Sequence, residues 1–180
     1  ITKRQVFSAF GVYSLDVGCG SKPKGTHNVD IIKPKGHKPP NFILCDAHLI
    51  PYRNEVFDFV ASHVVIEHTY NPFNFLREQL RVLKKSGKII IETDNPNYFR
   101  WSILNYQNYD HARIEKDHLM IFYPLNIVRL LKKAGFRKIT WNYHTRFFYP
   151  LDHIIAMLIS LHILRKESLY LRFTVKALKP

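Results

Sequence analysis

The sequence predicts a single α/β domain built on a mostly parallel sheet of seven strands. Three observations carry that prediction. Short apolar runs rich in β-branched residues alternate with helix-like stretches, as parallel strands joined by crossovers do. The first of those runs ends in a glycine turn, Gly18-Cys19-Gly20. Finally, 180 residues with 46% hydrophobic and 14% aromatic positions fill one ordinary core rather than two, and that aromatic load excludes a disordered chain.

Taken in order, Val12 to Val17 reads as the first strand and His27 to Ile31 as the second. Lys33 to Pro40, dense in Lys, Pro and Gly, is a basic loop that can be neither helix nor central strand. Asn41 to Cys45 forms a third strand, and Phe57 to His63 a fourth that is apolar enough to be buried on both faces. Asn71 caps a helix with Pro72 at its first position, Lys84 and Lys85 near its end, and Gly87 as its stop. Lys88 to Thr93 is the fifth strand, followed by Asp94-Asn95-Pro96-Asn97 and an aromatic stretch from Tyr98 to Tyr109. Pro124 opens a second helix whose apolar face is Leu125, Val128, Leu131 and Ala134, and Gly135 closes it. Arg137 to Tyr149 and Leu169 to Ala177 are the last two strands. Between them Leu151 to Leu164 is apolar nearly all round, so residues 151–168 read as a helical insertion or lid within one domain spanning 1–180.

Charge and cysteine content narrow the functional class. The 27 basic and 14 acidic residues leave a net charge of +13, and ten histidines add to it below neutral pH, which favours an anionic partner. Two cysteines, Cys19 and Cys45, make no disulfide framework and suit a reducing, cytoplasmic compartment. The longest apolar run, Ile154 to Leu161, is interrupted by Ser160 and falls well short of the roughly 18 residues a membrane span needs. The first residues lack the basic-then-apolar order of a signal peptide, and an opening on Ile1 rather than Met leaves room for residues upstream.

The chemistry concentrates at strand ends. A strand running into Asp16-Val17-Gly18-Cys19-Gly20, with an acid ten residues on at Asp30, is a nucleoside-binding layout, because one carboxylate can accept hydrogen bonds from both ribose hydroxyls. A dinucleotide fingerprint would need a third glycine where Pro23 stands, and Gly20 to Asp30 is too short for a helix that could face a pyrophosphate. No Walker lysine follows either. A cofactor without phosphates fits better.

Motifs beyond the glycine turn sharpen the reading: Cys45-Asp46-Ala47-His48-Leu49-Ile50-Pro51-Tyr52, Val56-Phe57-Asp58-Phe59-Val60, Val65-Ile66-Glu67-His68, and Leu80-Arg81-Val82-Leu83-Lys84-Lys85-Ser86-Gly87-Lys88. Further on come His118, Phe122-Tyr123-Pro124, Leu130-Leu131 and Ala134-Gly135-Phe136. In order and spacing, residues 12 to 137 resemble the class I S-adenosylmethionine-dependent methyltransferases, especially the small type 11 branch. The resemblance implies a Rossmann-like sheet with its last strand antiparallel and helices on both faces. It implies S-adenosyl-L-methionine as cofactor, with Asp16, Gly18, Cys19 and Gly20 at the methionine end, Asp30 and Ile31 at the ribose and adenine, Asp46 and Ala47 at the adenine, and Ser62 and His63 beside the methionyl chain. Two departures stand out: Lys22 replaces the family's third glycine, and the first crossover is short. The cofactor's carboxylate would then meet Lys22 or a loop amide instead of a helix start.

His118 is the first choice for a general base, because the family places this segment over the substrate, and His63 is the second. His68, Glu67 and Asp94 also border the expected cavity. Asp94-Asn95 resembles the metal-binding pair of catechol-type methyltransferases, but the fourth strand ends in Ser62-His63 rather than an acid, so no metal is expected. Asp94 to Tyr98 reads as a turn. The implied function is methyl transfer to a small or lipid-linked acceptor with an apolar part, held under a cap made by the 98–109 and 151–164 stretches, with a peripheral membrane contact. Two alternatives stand beside it. One is a methyltransferase of RNA or other nucleic acid, served by the basic charge and by Tyr98, Phe99, Trp101, Tyr106 and Tyr109; the other is a non-catalytic cofactor-binding partner subunit.

Overall fold

The computed structural model describes residues 13–36, 39–97, 118–146, 161 and 170–180. They form strands β1 (Ser14–Val17), β2 (His27–Asp30), β3 (Phe42–Leu44), β4 (Phe57–His63), β5 (Leu83–Asp94), β6 (Arg137–Arg146) and β7 (Tyr170–Leu178). Helix α1 is Pro72–Val82, helix α2 is Pro124–Ala134, and a 3-10 turn spans Ile66–His68. All seven strands join one sheet in the order β3-β2-β1-β4-β5-β7-β6. The first five pair in parallel, and β7 lies between β5 and β6, antiparallel to both.

The chain first works outward from β1 to β3 and then returns to place β4 on the other side of β1. The strand order therefore reverses between β1 and β4, and the carboxyl ends of the strands open a crevice there. The crossover from β1 to β2 is a loop with no helix, as its length requires. Side chains brace it: Ser14 Oγ accepts the Thr26 N–H (3.0 Å), and Asn28 donates to the Gly25 and Pro40 carbonyls (3.1 and 2.8 Å). β1 is buried along its whole length, as a central parallel strand covered on both faces must be.

The other half is built from apolar burial. Asn71 caps α1 by accepting the Asn74 N–H at 3.0 Å, Pro72 opens it, and Phe75, Leu76 and Val82 turn inward. α2 packs against α1, with Pro124, Ile127, Leu131 and Ala134 buried. Leu15, Val17, Val60, Ile89, Ile91, Phe173 and Val175 join them in one core.

Two element boundaries differ from expectation. α1 ends at Val82 rather than at Gly87, and Leu83 passes straight into β5. Leu83 is fully buried and pairs with Phe57, whereas Lys88 pairs with Phe59, so Lys84 to Gly87 form a bulge in β5. Pairing with β4 outweighs the helical preference of Lys84 and Lys85. In α2, Ile127 rather than Leu125 belongs to the apolar face: Leu125 is 59% exposed. Ile127 lies four residues before Leu131 and therefore on its face, whereas Leu125 lies six before it and points away. The expected aromatic stretch 98–109, the end of the sixth strand at 147–149 and the apolar stretch 151–164 fall outside the described residues, Leu161 apart.

Candidate functional site

A cleft opens at the strand-order reversal. It is lined by Gly18 from the end of β1, by Val29, Asp30 and Ile31 from β2, by Cys45, Asp46, Ala47 and His48 after β3, and by Val65, His68, Thr69 and Tyr70 around the 3-10 turn. Backbone geometry makes the floor. Gly18 has φ +69°, and a Cβ there would run into the side chain of Val65. Its N–H donates to the Val29 carbonyl at 2.9 Å, which locks the end of β1 onto β2. Val64 carries φ +56°, a left-handed conformation that a β-branched residue rarely adopts. Its N–H, donating to the Glu92 carbonyl at 2.8 Å, holds that conformation and turns the chain so that Val65 meets Gly18.

Two carboxylates stand in the cleft with spare accepting capacity. Asp30 Oδ2 accepts the Gly20 N–H at 2.8 Å and Oδ1 the Ile32 N–H at 2.9 Å. These bonds fix the carboxylate's plane and leave lone pairs on each oxygen for two hydroxyl donors. Asp46 Oδ1 faces both the N–H of His48 (2.8 Å) and its ring Nδ1 (2.6 Å), and Oδ2 accepts the Tyr70 hydroxyl at 3.3 Å. Burial pushes the Asp46 pKa up, but the His48 and Tyr70 hydrogen bonds outweigh it and hold the group below the usual carboxylate range. Asp46 is therefore anionic at neutral pH, the form that accepts from an amine. The Tyr70 ring stacks on His48 at 3.9 Å between centroids, giving the cleft a flat aromatic wall.

Of the residues singled out in the sequence, Gly18, Asp30, Ile31, Asp46 and Ala47 line this cleft together. Asp16, Cys19, Gly20, Ser62 and His63 are not among its lining residues. Asp16 is 2% exposed, its Oδ2 accepts the Lys24 N–H at 2.8 Å, and burial raises its pKa, so it braces the loop below the cleft. The Cys19 thiol is pushed up to about 12 by burial and by the Asp16 and Asp30 charges, which leaves it unreactive. Gly20 serves through its N–H, which positions Asp30. Ser62 is buried, and His63 turns toward Glu92 (Nδ1 to Oε2, 3.7 Å), a carboxylate also approached by His144 at 3.3 Å and Arg172 at 3.2 Å.

The sequence reading missed Val65, Thr69 and Tyr70, although their place between the fourth strand and the Asn71 cap put them at the carboxyl edge of the sheet. It also missed Gly25, where a Cβ would collide with the His27 carbonyl and the Asp16 backbone nitrogen. That close approach lets the short crossover fold back under β1.

His118 lies in a second cavity, lined among others by Glu67, Thr93, Asp94 and Phe122. Its ring meets that of His68 edge-on at 4.6 Å. The Glu67 carbonyl accepts the Leu119 and Met120 N–H groups (2.9 and 3.1 Å), so the 3-10 turn joins this cavity to the first. Asp94 is held by Arg172 Nε at 3.0 Å, and Asn95 accepts the Asn97 N–H at 3.1 Å, as a turn residue does.

Comparison with known proteins places this geometry. Residues 25–91 match the family model of a methyltransferase domain, that of type 11. An uncharacterized protein of Methanocaldococcus jannaschii is 29% identical over 97 residues, 54% of this chain and 46% of that protein. The match thus spans about half that relative's length. A SAM-dependent methyltransferase from Archaeoglobus fulgidus superimposes with a TM-score of 0.71 at 20% identity, over 92% of this chain and 85% of its own. One from Thermotoga maritima gives 0.70 at 18%, over 96% and 84%. At these identities the structural likeness establishes the fold.

Proposed function

We propose that the chain is a class I methyltransferase of the type 11 kind, that it binds S-adenosyl-L-methionine in the β1–β2–β3 cleft, and that it transfers the methyl group to a small or lipid-linked acceptor with an apolar part. The observation that carries this reading is the convergence of Gly18, Asp30 and Asp46 on one cleft at the strand-order reversal. When bound, the cofactor supplies an electrophilic methyl group on a sulfonium. The residues present suit it. Asp30 holds two hydroxyls, Asp46 accepts an amine, Val29, Ile31, Ala47 and Tyr70 offer a slot for a flat base, and the Gly18–Gly20 turn meets the remaining chain.

Methyl transfer needs a positioned nucleophile and exclusion of water more than it needs a base. Where the acceptor must lose a proton, His118 is the first group to receive it and His63 the second. Support for an apolar acceptor comes from the segment after His118, where Leu119, Ile121 and Tyr123 are 62, 43 and 46% exposed. Such a run suits an apolar substrate or a peripheral contact with an anionic membrane, attracted by the +13 charge, in the cytoplasm. No described helix is long and apolar enough to cross a membrane.

The test is transfer of a labelled methyl group to lipid-linked acceptors and, in parallel, to RNA, at low and high salt. Labelling of the apolar acceptor that persists at high salt supports the proposal. Salt-resistant, sequence-selective RNA labelling would replace it with the nucleic-acid reading, and cofactor binding without any turnover would favour the partner-subunit reading.

A further inference from the structure

The second cavity brings together three of the groups that the sequence places at one cavity, and brings them within ligand distance of each other. Glu67 from the 3-10 turn, Asp94 from the end of β5 and His118 each offer one ligand atom, and these atoms lie within 4.8 Å of one another. Glu67 is 2% exposed, and both its carboxylate oxygens are buried without a well-formed hydrogen bond. A buried carboxylate beside a second carboxylate is costly unless a cation joins them. Arg172 reaches Asp94 and Glu92, and no ion pair to Glu67 is seen among the described residues.

The cavity leaves about 10 Å³ of free space between these groups, room for one small species. Two carboxylate oxygens and an imidazole nitrogen form the mixed donor set that manganese, iron(II) and zinc accept. We propose that Glu67, Asp94 and His118 bind one divalent cation, three ligands from three separate segments that leave further positions open to water or to an acceptor oxygen, so that in the cation-bound chain His118 is a ligand in place of a proton acceptor. The expectation of no metal rested on the missing acid at the end of β4. Here the acid arrives four residues later, from the turn.

The test uses the full chain, freed of metal by chelation, with Mn2+ alone as probe. Calorimetry is expected to show one site per chain, and pulsed electron paramagnetic resonance to show coupling of the bound Mn2+ to a single nitrogen. Glu67→Gln and Asp94→Asn should each weaken binding at least tenfold, and His118→Gln should abolish the nitrogen coupling. Asp58→Asn, at the far end of β4, should change nothing. Thermal melts establish that each variant folds, and the resonance spectrum of the unaltered chain stands without them. No binding up to millimolar Mn2+, binding indifferent to both carboxylate variants, or a spectrum without nitrogen coupling would overturn the site. None of these readouts involves methyl transfer, so their failure leaves the methyltransferase reading where it stands.

Discussion

The two halves of the sheet share one core but differ in what finishes them. β1, β2 and β3 are four, four and three residues long, and no helix of the described chain connects them. Leu15, Val17 and Val29 reach the common core, and polar side chains add bonds to backbone groups: Asp16 to Lys24, Asn28 to Gly25 and Pro40, Asp30 to Gly20 and Ile32. β5, β6 and β7 run to twelve, ten and nine residues and share a packed core with α1 and α2. The cleft lies on the polar half. A site built this way keeps its carboxylates fixed in direction yet still able to accept, which a purely apolar packing could not do.

This contrast can be broken at one glycine. Gly18→Val would place a β-branched residue at φ +69° and against Val65, at a cost of about 3 kcal/mol or more from left-handed strain and overpacking. Urea denaturation should show the loss, and cofactor binding should vanish even where the fold survives. Retained binding would mean that the floor of the cleft is not where Gly18 puts it.

Arg81 sharpens the contrast from the packed half. Its guanidinium donates to the Ile50 and Tyr52 carbonyls (both 2.7 Å) and to Glu78 (2.8 Å), tying α1 to the loop before β4. Arg81→Ala should cost about 2 to 3 kcal/mol of stability, the scale of charge-assisted bonds, while leaving cofactor affinity within twofold. A large loss of affinity with little loss of stability would show that the halves are not separable.

Asp46 gives the smallest effect and a definite sign. Its pKa is depressed in the folded chain, so its contribution is present above the unfolded value near 4 and disappears as pH falls through the lower folded value. The carboxylate is 38% exposed, which screens the effect to about 1 kcal/mol or less. Urea midpoints at pH 7 and pH 3 should fall further for the unaltered chain than for Asp46→Asn. An equal fall in both would remove Asp46 from the network with His48 and Tyr70.

The same contrast explains what the sequence made legible. Strand ends followed by Gly18, Asp30 and Asp46 were readable, because a turn, an acid and a short spacing are local signals. β4 was read to its ends, since Phe57 to Ala61 is apolar but for Asp58 and closes on the polar pair Ser62-His63. The end of α1 was not, because Leu83 leaves the helix to pair with Phe57, a partner 26 residues away that no local pattern specifies. Glu67, Asp94 and His118 were expected at one cavity, but not as a cluster of ligand atoms, which forms only when the turn after β4, the end of β5 and the segment before α2 meet. Asp16 and His63 were selected by position; in the structure the Lys24 amide and Glu92 are their partners, and neither residue is among those lining the cleft.

Binding of S-adenosylmethionine in the β1–β2–β3 cleft through Asp30, as proposed, is tested most directly by calorimetry with its demethylated product. The account predicts one site per chain in the unaltered protein and an affinity lowered in Asp30→Ala by about 1.5 to 3 kcal/mol, roughly 10- to 150-fold. Absence of binding, or an affinity unchanged by Asp30→Ala in a variant that melts as a folded protein, would contradict it.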